Sequence, residues 1–438
     1  MKILFSMIYA PERGGSGAPI YTYHLIKSLA KNLDEKEKPG IVFSAHHSYK
    51  NPENTFYNSH PIYFDRPPIF DDQPKVPHSI AFKDMTKKQI KENIRVFYDE
   101  FKKRIQEEKY DLMHVQHGMY IGYAASLIKK DLNIPYTITL HVMELNFLHE
   151  FPDPILAMKA MTDADRIVAL TEAQKKRLLN EYSKEKIIKL ESEKKSISLD
   201  EAKKKYHQII GDTDIDPGKI TVCALGIDTE LFDILPDKQV KAKVGGLGIP
   251  EDAQVVFYAG RLIDMKGIKH LLDAEPIYNR SGEIHTLILG GGELEDYVKK
   301  IAKERPSVHY PGFVEQENMV FYHNFAAIHN GVFCVPSSSE GFSLVVLEAL
   351  ATGVRTVVCC KRDMGDLDVM EYPNAIFAKF GDKKDVAKKI IKMLNLQLKS
   401  SLESRQKIRK SMSKYNKENL YKLVAEVYTD VLKSYSKT

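Results

Sequence analysis

Short apolar runs, each closed by a glycine, a proline or a polar turn, alternate with segments of helical period along most of this chain. In the first half they read KILFSMIY, IVFSA, LMHVQ, YTITLH and RIVAL; in the second half QVVFYAG, HTLILGGG, SVHYPG, GVFCVP and RTVVCC. Runs of roughly four to eight residues, apolar on both faces, are the signature of parallel strands covered by helices on either side. The pattern occurs twice, which implies two doubly wound α/β domains. The join between them falls near ITVCALGIDTELFD, residues 220–233.

Two stretches interrupt the alternation. Residues 46–81, rich in Pro, His, Asp and Tyr, show no period and read as an irregular insertion in the first domain. Residues 183–210, crowded with Lys and Glu and free of turn residues, read as a solvated helical excursion. Between the two, residues 87–110 place Ile90, Ile94, Phe97, Phe101 and Ile105 on one helical face. That face predicts a core-packing helix, whose basic opposite side allows at most peripheral contact with a membrane surface.

Composition narrows the class. With 438 residues, 43% of them hydrophobic, the chain has material for two or three domains and sizeable cores. A formal charge of +5 suits an anionic small ligand but is too thin for a nucleic-acid wrapper. Cys223, Cys334, Cys359 and Cys360 lie in or beside apolar runs without Cys-x-x-Cys spacing, against a zinc knuckle or a disulfide framework. The amino terminus lacks the run and cleavage site of a signal peptide, and no stretch approaches the roughly 18 apolar residues of a membrane span. A cytoplasmic protein is expected.

Ligands of doubly wound sheets bind outside the carboxyl ends of the strands. After the first run, APERGGSGAP brings Gly14 and Gly15, where the backbone can approach a ligand and turn N–H groups to an anion. After QVVFYA come Gly260 and Arg261, then Lys266 and Gly267. A guanidinium and an ammonium at a strand end can clamp a diphosphate, each charge-assisted hydrogen bond contributing about 1.5–3 kcal/mol. Gly290, Gly291 and Gly292 open another turn before a helix. After GVFCVP, a helix starting near Ser343 aims its N-terminal N–H groups and dipole at phosphate oxygens. Glu348, one turn further in, is negative and unsuited to that phosphate. It either accepts from two neighbouring hydroxyls, such as a ribose offers, or forms with Thr352 a narrow exposed stripe on a buried helix.

EGFSLVVLEALATG, residues 340–353, resembles the Glu-x7-Glu element of retaining glycosyltransferases of the GT-B fold, above all glycosyltransferase family 4. The family form is close to E-G-[FL]-[GS]-L-x-x-L-E-A-[LM]-A-x-G. YAGRLIDMKG resembles its G-R-x-x-x-x-K-G element, LILGGGELED its strand-glycine-helix turn and VHYPGFV its next strand. APERGGSGAPIYTYHLIKSLA resembles its first loop and helix, and TLH, ending at His141, its first-domain histidine. The elements come in family order over residues 1–400. The resemblance implies two Rossmann-like domains facing a cleft, with the last helix, KENLYKLVAEVYTDVLKS, crossing back to the first. An acceptor-side domain of residues 1–222 plus 412–438 and a nucleotide-sugar-binding domain of residues 223–411 follow.

The resemblance also implies roles. Glu348 would bind the ribose hydroxyls and Glu340 the donor sugar's hydroxyls. Backbone N–H groups around Phe342, Ser343 and Leu344 would meet the distal phosphate, with Gly260 and Gly291 lining the donor site. Arg261 and Lys266 would neutralise the departing diphosphate. Gly14 and Gly15 would approach it from the other domain, and His141 would contact the transferred sugar. The implied reaction moves a hexose or N-acetylhexosamine from a nucleotide-diphosphate sugar, UDP-linked foremost, to an acceptor hydroxyl with retention. No metal is required, because Arg and Lys stand in for Mg²⁺; the Asp-x-Asp triplets at 163–165, 212–214, 214–216 and 366–368 read as incidental.

Three departures stand out. Val142 follows His141, Leu225-Gly226-Ile227-Asp228 replaces N-G-[VI]-D, and RDMGDLDV replaces the late G-G-x-x-E, which leaves the donor hexose open. Insertion 46–81 and the loop with Glu12 and Arg13 are expected to line the acceptor site, a small molecule being favoured over an envelope glycan. A nucleotide-sugar 2-epimerase shares the fold. An NAD-dependent dehydrogenase lacks its G-x-G-x-x-G here, and intact Arg261, Lys266 and Glu348 speak against an inactive sugar-nucleotide-binding homologue.

Overall fold

The first of two parallel sheets contains β1 (Ile3–Met7), β2 (Gly40–Phe43), β3 (Phe64–Asp65), β4 (Leu112–Val115), β5 (Tyr136–Thr139), β6 (Arg166–Ala169) and β7 (Ile220–Val222). Their order is β3-β2-β1-β4-β5-β6-β7, so the winding reverses between β1 and β4. The second contains β8 (Gln254–Ala259), β9 (Ile284–Leu289), β10 (Val308–Gly312), β11 (Val332–Val335), β12 (Thr356–Val358) and β13 (Ala375–Phe377). Its order is β10-β9-β8-β11-β12-β13, with the reversal between β8 and β11. The computed structural model describes residues 2–7, 25, 40–43, 64–65, 87–116, 118–224, 226–340, 342–360, 370–371, 373–398 and 402–436. Glu12, Arg13, Gly14, Gly15, most of insertion 46–81 and the RDMGDLDV segment lie outside them. The chain divides into two compact units, Met1–Ala224 with Leu420–Thr438, and Leu225–Asn419.

The doubly wound α/β reading holds for each unit. Strands β4, β5 and β11 are buried at every residue, as strands covered on both faces must be. Helix Lys87–Glu108 buries Ile90, Ile94, Phe97 and Phe101 in the first core and packs Ile105 against it. Two readings need correction. Inside 46–81, taken as irregular, Phe64 and Asp65 pair with β2 as a short strand. The charged stretch 183–210, read as a solvated helical excursion, is helical, as two helices, Lys184–Lys195 and Leu199–Ile209, but not simply solvated, since they bury Ile187, Ile188, Leu190, Ala202 and Tyr206. Ser196, at φ +53°, ends the first helix. Ser198 Oγ accepts the Glu201 N–H at 3.2 Å while the Glu201 carboxylate accepts the Ser198 N–H at 2.9 Å, which starts the second.

The segments by which the chain enters and leaves the second unit run side by side. Ile227 bridges Asn416 in parallel, donating to Tyr415 O and accepting from the Lys417 N–H, both at 2.9 Å. A Cβ on Gly226 would lie 2.3 Å from Lys417 Cα, so the approach requires glycine. Asp228 pairs with Lys417. Burial works against its charge, but Lys417 and the N–H groups of Leu231 and Glu230 outweigh that and hold the carboxyl below its usual range. The departing motif Leu225-Gly226-Ile227-Asp228 thus keeps the two residues this junction uses.

Helix Lys417–Tyr435 joins the first unit from Leu420 onward and buries Leu420, Val424, Val427, Tyr428 and Val431. His114 anchors it. Wholly buried on β4, its Nδ1 pairs with the Tyr428 hydroxyl and its Nε2 with Thr139 Oγ1 at 2.8 Å, while Phe5 stacks on the ring. Among the described residues no helix is long and apolar enough to cross a membrane, and all four cysteines are free thiols.

Burial pushes the His114 pKa down to about 3. Its folded value thus lies below that of the unfolded chain, so the stability held by the neutral ring is complete above pH 6.5 and is lost as the pH falls towards 3. Unfolding free energy is expected to fall by about 1.4 kcal/mol for each pH unit below 6.5 on this residue's account. Denaturant titrations at pH 7 and 5 check it: His114→Gln should show a shallower pH dependence than the parent chain, and equal slopes would refute the assignment.

Candidate active site

Strands β8 and β11 are neighbours at the reversal point of the second sheet, and the loops that follow them meet. From β8 the chain runs through Gly260 and Arg261 to a 3₁₀ turn, Asp264–Lys266, and then to helix Ile268–Tyr278. From β11 it runs through Pro336 to Glu340 and on to helix Leu344–Ala351, capped by Ser343. The Ser338 N–H and Oγ both donate to Met265 O, at 3.0 and 3.1 Å. Gly267 sits at φ +73°, and a Cβ there would stand 2.0 Å from Pro336 O. Only glycine lets the loops approach this closely.

That approach brings Lys266 and Glu340 together. Lys266 Nζ donates to Glu340 Oε1 at 2.7 Å, and Ser337 Oγ donates to the same oxygen at 2.6 Å. The pair is mostly buried, the side chains 22% and 7% exposed. Arg261 is half-buried, and among the described residues its guanidinium has no hydrogen bond or ion pair. Its carbonyl accepts from the Tyr258 hydroxyl at 2.9 Å. Burial, reinforced by the Glu340 charge, pushes the Tyr258 pKa far up, so the phenol stays a donor and pins the loop.

Helix Leu344–Ala351 begins beside this pair of loops: the Val346 N–H already donates to Ser343 O at 3.1 Å, while the Leu344 and Val345 N–H groups have no acceptor among the described residues. Phe342, Ser343 and Leu344 are all buried. Gly260 and Gly291 tie neighbouring turns: the Gly260 N–H donates to Leu289 O at 3.1 Å and Gly291 O accepts from the Leu262 N–H at 2.9 Å.

Glu348 belongs to no exposed stripe. It is 3% exposed and Thr352 is 0% exposed, the Thr352 hydroxyl donating back to Ala349 O at 2.8 Å. Gln316 Nε2 donates to Glu348 Oε1 at 2.6 Å, and His323 Nε2 lies 3.7 Å from Oε2. Neither partner was singled out from the sequence. Gln316 opens a 3₁₀ turn and His323 sits beside Asn324 within a largely apolar helix, Met319–Ile328, and no motif marks either one.

In the first unit, His141 follows β5 and caps helix Val142–Phe147. Its Nε2 donates to Gln116 Oε1 at 3.1 Å, and Gln116 follows β4, the strand at the reversal point. The buried Glu144 carboxylate accepts the N–H groups of His141 and Gly118, at 3.0 and 3.2 Å, tying the two loops. Gly14 and Gly15 lie outside the described residues. Of the described Asp-x-Asp carboxylates, Asp163 pairs with Lys159, Asp165 with Lys129 and Asp212 with Lys184, while Asp214 accepts the Lys184 and Ile215 N–H groups and Asp216 the Gly218 N–H. The triplet at 366–368 lies outside the described residues.

Two doubly wound units, with a cation-bearing loop and a helix N-terminus at one reversal point, define the GT-B class. Solved structures agree over nearly the whole chain. Sucrose-phosphate synthase from Thermosynechococcus elongatus superposes with a TM-score of 0.72 at 16% identity, covering 99% of both chains. Anabaena HepE in complex with UDP-glucose gives 0.65 at 15% identity, covering 98% of this chain and 100% of that one. The family model of glycosyl transferases group 1 matches residues 240–418, and that of Glycosyltransferase Family 4 matches residues 15–188. The chain belongs to glycosyltransferase family 4. Among curated relatives, an uncharacterised glycosyltransferase of Methanocaldococcus jannaschii is 30% identical over 32% of this chain and 36% of its own length. A D-inositol 3-phosphate glycosyltransferase of Corynebacterium efficiens is 30% identical over 33% and 35%. The chain therefore spans about a third of the length of these curated relatives.

Two glycine substitutions separate geometry from mere position. Gly267→Ala forces a side chain into left-handed backbone against Pro336 O and should cost at least about 1–2 kcal/mol of stability. Gly291→Ala, whose Cβ would meet only Glu295 Oε2 at 3.7 Å, should leave the melting temperature unchanged. Thermal denaturation of the two variants beside the parent checks both.

Proposed function

We propose that the chain is a retaining glycosyltransferase that moves a hexose or N-acetylhexosamine from a nucleotide-diphosphate sugar to an acceptor hydroxyl, with a UDP-linked donor favoured. The observation that carries this reading is the company at the reversal point between β8 and β11: Arg261, whose guanidinium has no partner among the described residues, Lys266 and the N-terminus of helix Leu344–Ala351. All three favour negative charge. HepE, of like fold, is described in complex with UDP-glucose, which supports the donor class.

The chemistry follows from charge. As the bond from the anomeric carbon to the diphosphate oxygen breaks, its electron pair moves onto the diphosphate and the sugar gains oxocarbenium character. Fixed cations and N–H groups aimed at that oxygen stabilise the transition state more than the ground state. The acceptor oxygen attacks the same face, and its proton passes to the departing phosphate oxygen, so configuration is retained and the atoms balance. Lys266 Nζ has three N–H donors and directs one at Glu340 Oε1, which leaves two for phosphate oxygens. Glu340 Oε1 is occupied by Lys266 and Ser337, and Oε2 would meet the donor sugar's hydroxyls. Glu348 would take the ribose hydroxyls. From the first unit, His141 would contact the sugar, and Gly14 and Gly15 would approach the phosphates. No metal is needed in this scheme, because Arg261 and Lys266 carry the counter-charge.

The relatives' names span a cyclitol phosphate and, in CapM of Staphylococcus aureus, capsular polysaccharide biosynthesis. A small hydroxylated acceptor is favoured here. Free thiols fit a reducing compartment, and we place the protein in the cytoplasm.

Lys266→Ala should lower kcat by about 100-fold while changing donor KM by less than about threefold, the mark of an interaction made chiefly in the transition state. Steady-state transfer from UDP-glucose and UDP-N-acetylglucosamine, run with and without a chelator, is the test. Equal losses in kcat and donor affinity, or turnover abolished by the chelator and restored by magnesium, would overturn the scheme.

A further inference from the structure

Glu348 has more accepting capacity than the protein uses. A carboxylate offers about four lone-pair sites, two on each oxygen. Gln316 Nε2 occupies one on Oε1, and Oε2 has no hydrogen-bond partner among the described residues. Facing Oε2 at 3.7 Å is Nε2 of His323.

His323 itself is anomalous. It is fully buried among the rings of Phe232, Phe257 and Phe333, with centroids at 6.0, 5.1 and 5.2 Å. Neither ring nitrogen makes a hydrogen bond within the described structure. Leaving such a group unsatisfied costs about 1–3 kcal/mol, which a phenylalanine in the same aromatic box would avoid. The polar atom recorded beside the ring is Oε2 of Glu348, 3.7 Å from Nε2 and just beyond hydrogen-bond range.

We propose that His323 is a positioning residue for donor recognition. Its Nε2–H holds Oε2 of Glu348 as Gln316 holds Oε1, so that each oxygen turns its remaining lone pair to one of two vicinal ribose hydroxyls. The pair makes the site specific for ribonucleotides over their 2′-deoxy counterparts. The inference rests on the reading of Glu348 as the ribose-binding carboxylate.

The test is calorimetric titration of UDP, GDP and ADP, then of the tightest binder against its 2′-deoxy form, on the full chain and on His323→Phe. The parent should favour the ribonucleotide by about tenfold or more, the scale of an unmade hydrogen bond to a charged group. His323→Phe should lose most of that preference while its melting temperature holds or rises, and His323→Gln, which restores an N–H donor, should regain part of it. Should the phenylalanine variant not fold, His323→Leu carries the same comparison. A variant that keeps the parent's full preference overturns the proposal and leaves the role of Glu348 standing. A parent that binds ribo and deoxy forms equally, or binds none of the three, overturns the reading of Glu348 itself and the proposal with it.

Discussion

The pairing of Lys266 with Glu340 depends on one close approach, that of the Gly267 backbone to the Pro336 carbonyl. The loops after β8 and β11 are neighbours because the sheet order reverses between those strands. They touch because position 267 carries no side chain and adopts a positive φ. Two hydrogen bonds from Ser338 to Met265 O then lock the loops together. The consequence is electrostatic: Lys266, on a turn only three residues long, is held against Glu340, and Arg261 is held by a carbonyl that Tyr258 grips. Under the proposed reaction, a lysine held in this way and an arginine anchored through its backbone would need little reorganisation as negative charge develops near them.

The two glutamates of the Glu-x7-Glu element solve different problems. Glu340 lies on a loop, its charge balanced by Lys266 and its Oε1 also accepting a hydrogen bond from the Ser337 hydroxyl. Glu348 lies in the middle of a helix whose other residues are nearly all buried and apolar, and it meets one amide and one imidazole. A buried carboxylate so lightly partnered is costly. Such an arrangement is retained where an outside ligand completes it, and this gives the two vicinal hydroxyls of a ribose their place in the scheme.

The longer strands were legible because full burial writes itself as an uninterrupted apolar run, as in VVFYA of β8 and VFCV of β11. The short strands β3, β7 and β13, two or three residues each, stand in polar or irregular surroundings and gave no run of their own, whereas β12, equally short, was legible because Cys359 and Cys360 extend its apolar run. The break in the charged stretch was hidden because Ser196 ends a helix in left-handed backbone without the glycine that usually signals it. At the site, Arg261, Lys266, Glu340 and Glu348 could be named because their spacing is fixed along one chain segment each. Gln316 could not, since it meets Glu348 across 32 residues of sequence and only the fold joins them. Nor did the sequence reveal that Lys266 and Glu340, given separate tasks, are paired with each other.

The account stands on where a diphosphate sits. A crystal structure of the protein with an intact nucleotide sugar measures this directly. Both Arg261 and Lys266 should lie within about 3.2 Å of diphosphate oxygens, with the distal phosphate over the first turn of helix Leu344–Ala351. A diphosphate bound elsewhere, with the guanidinium and ammonium turned to solvent, would contradict the central claim.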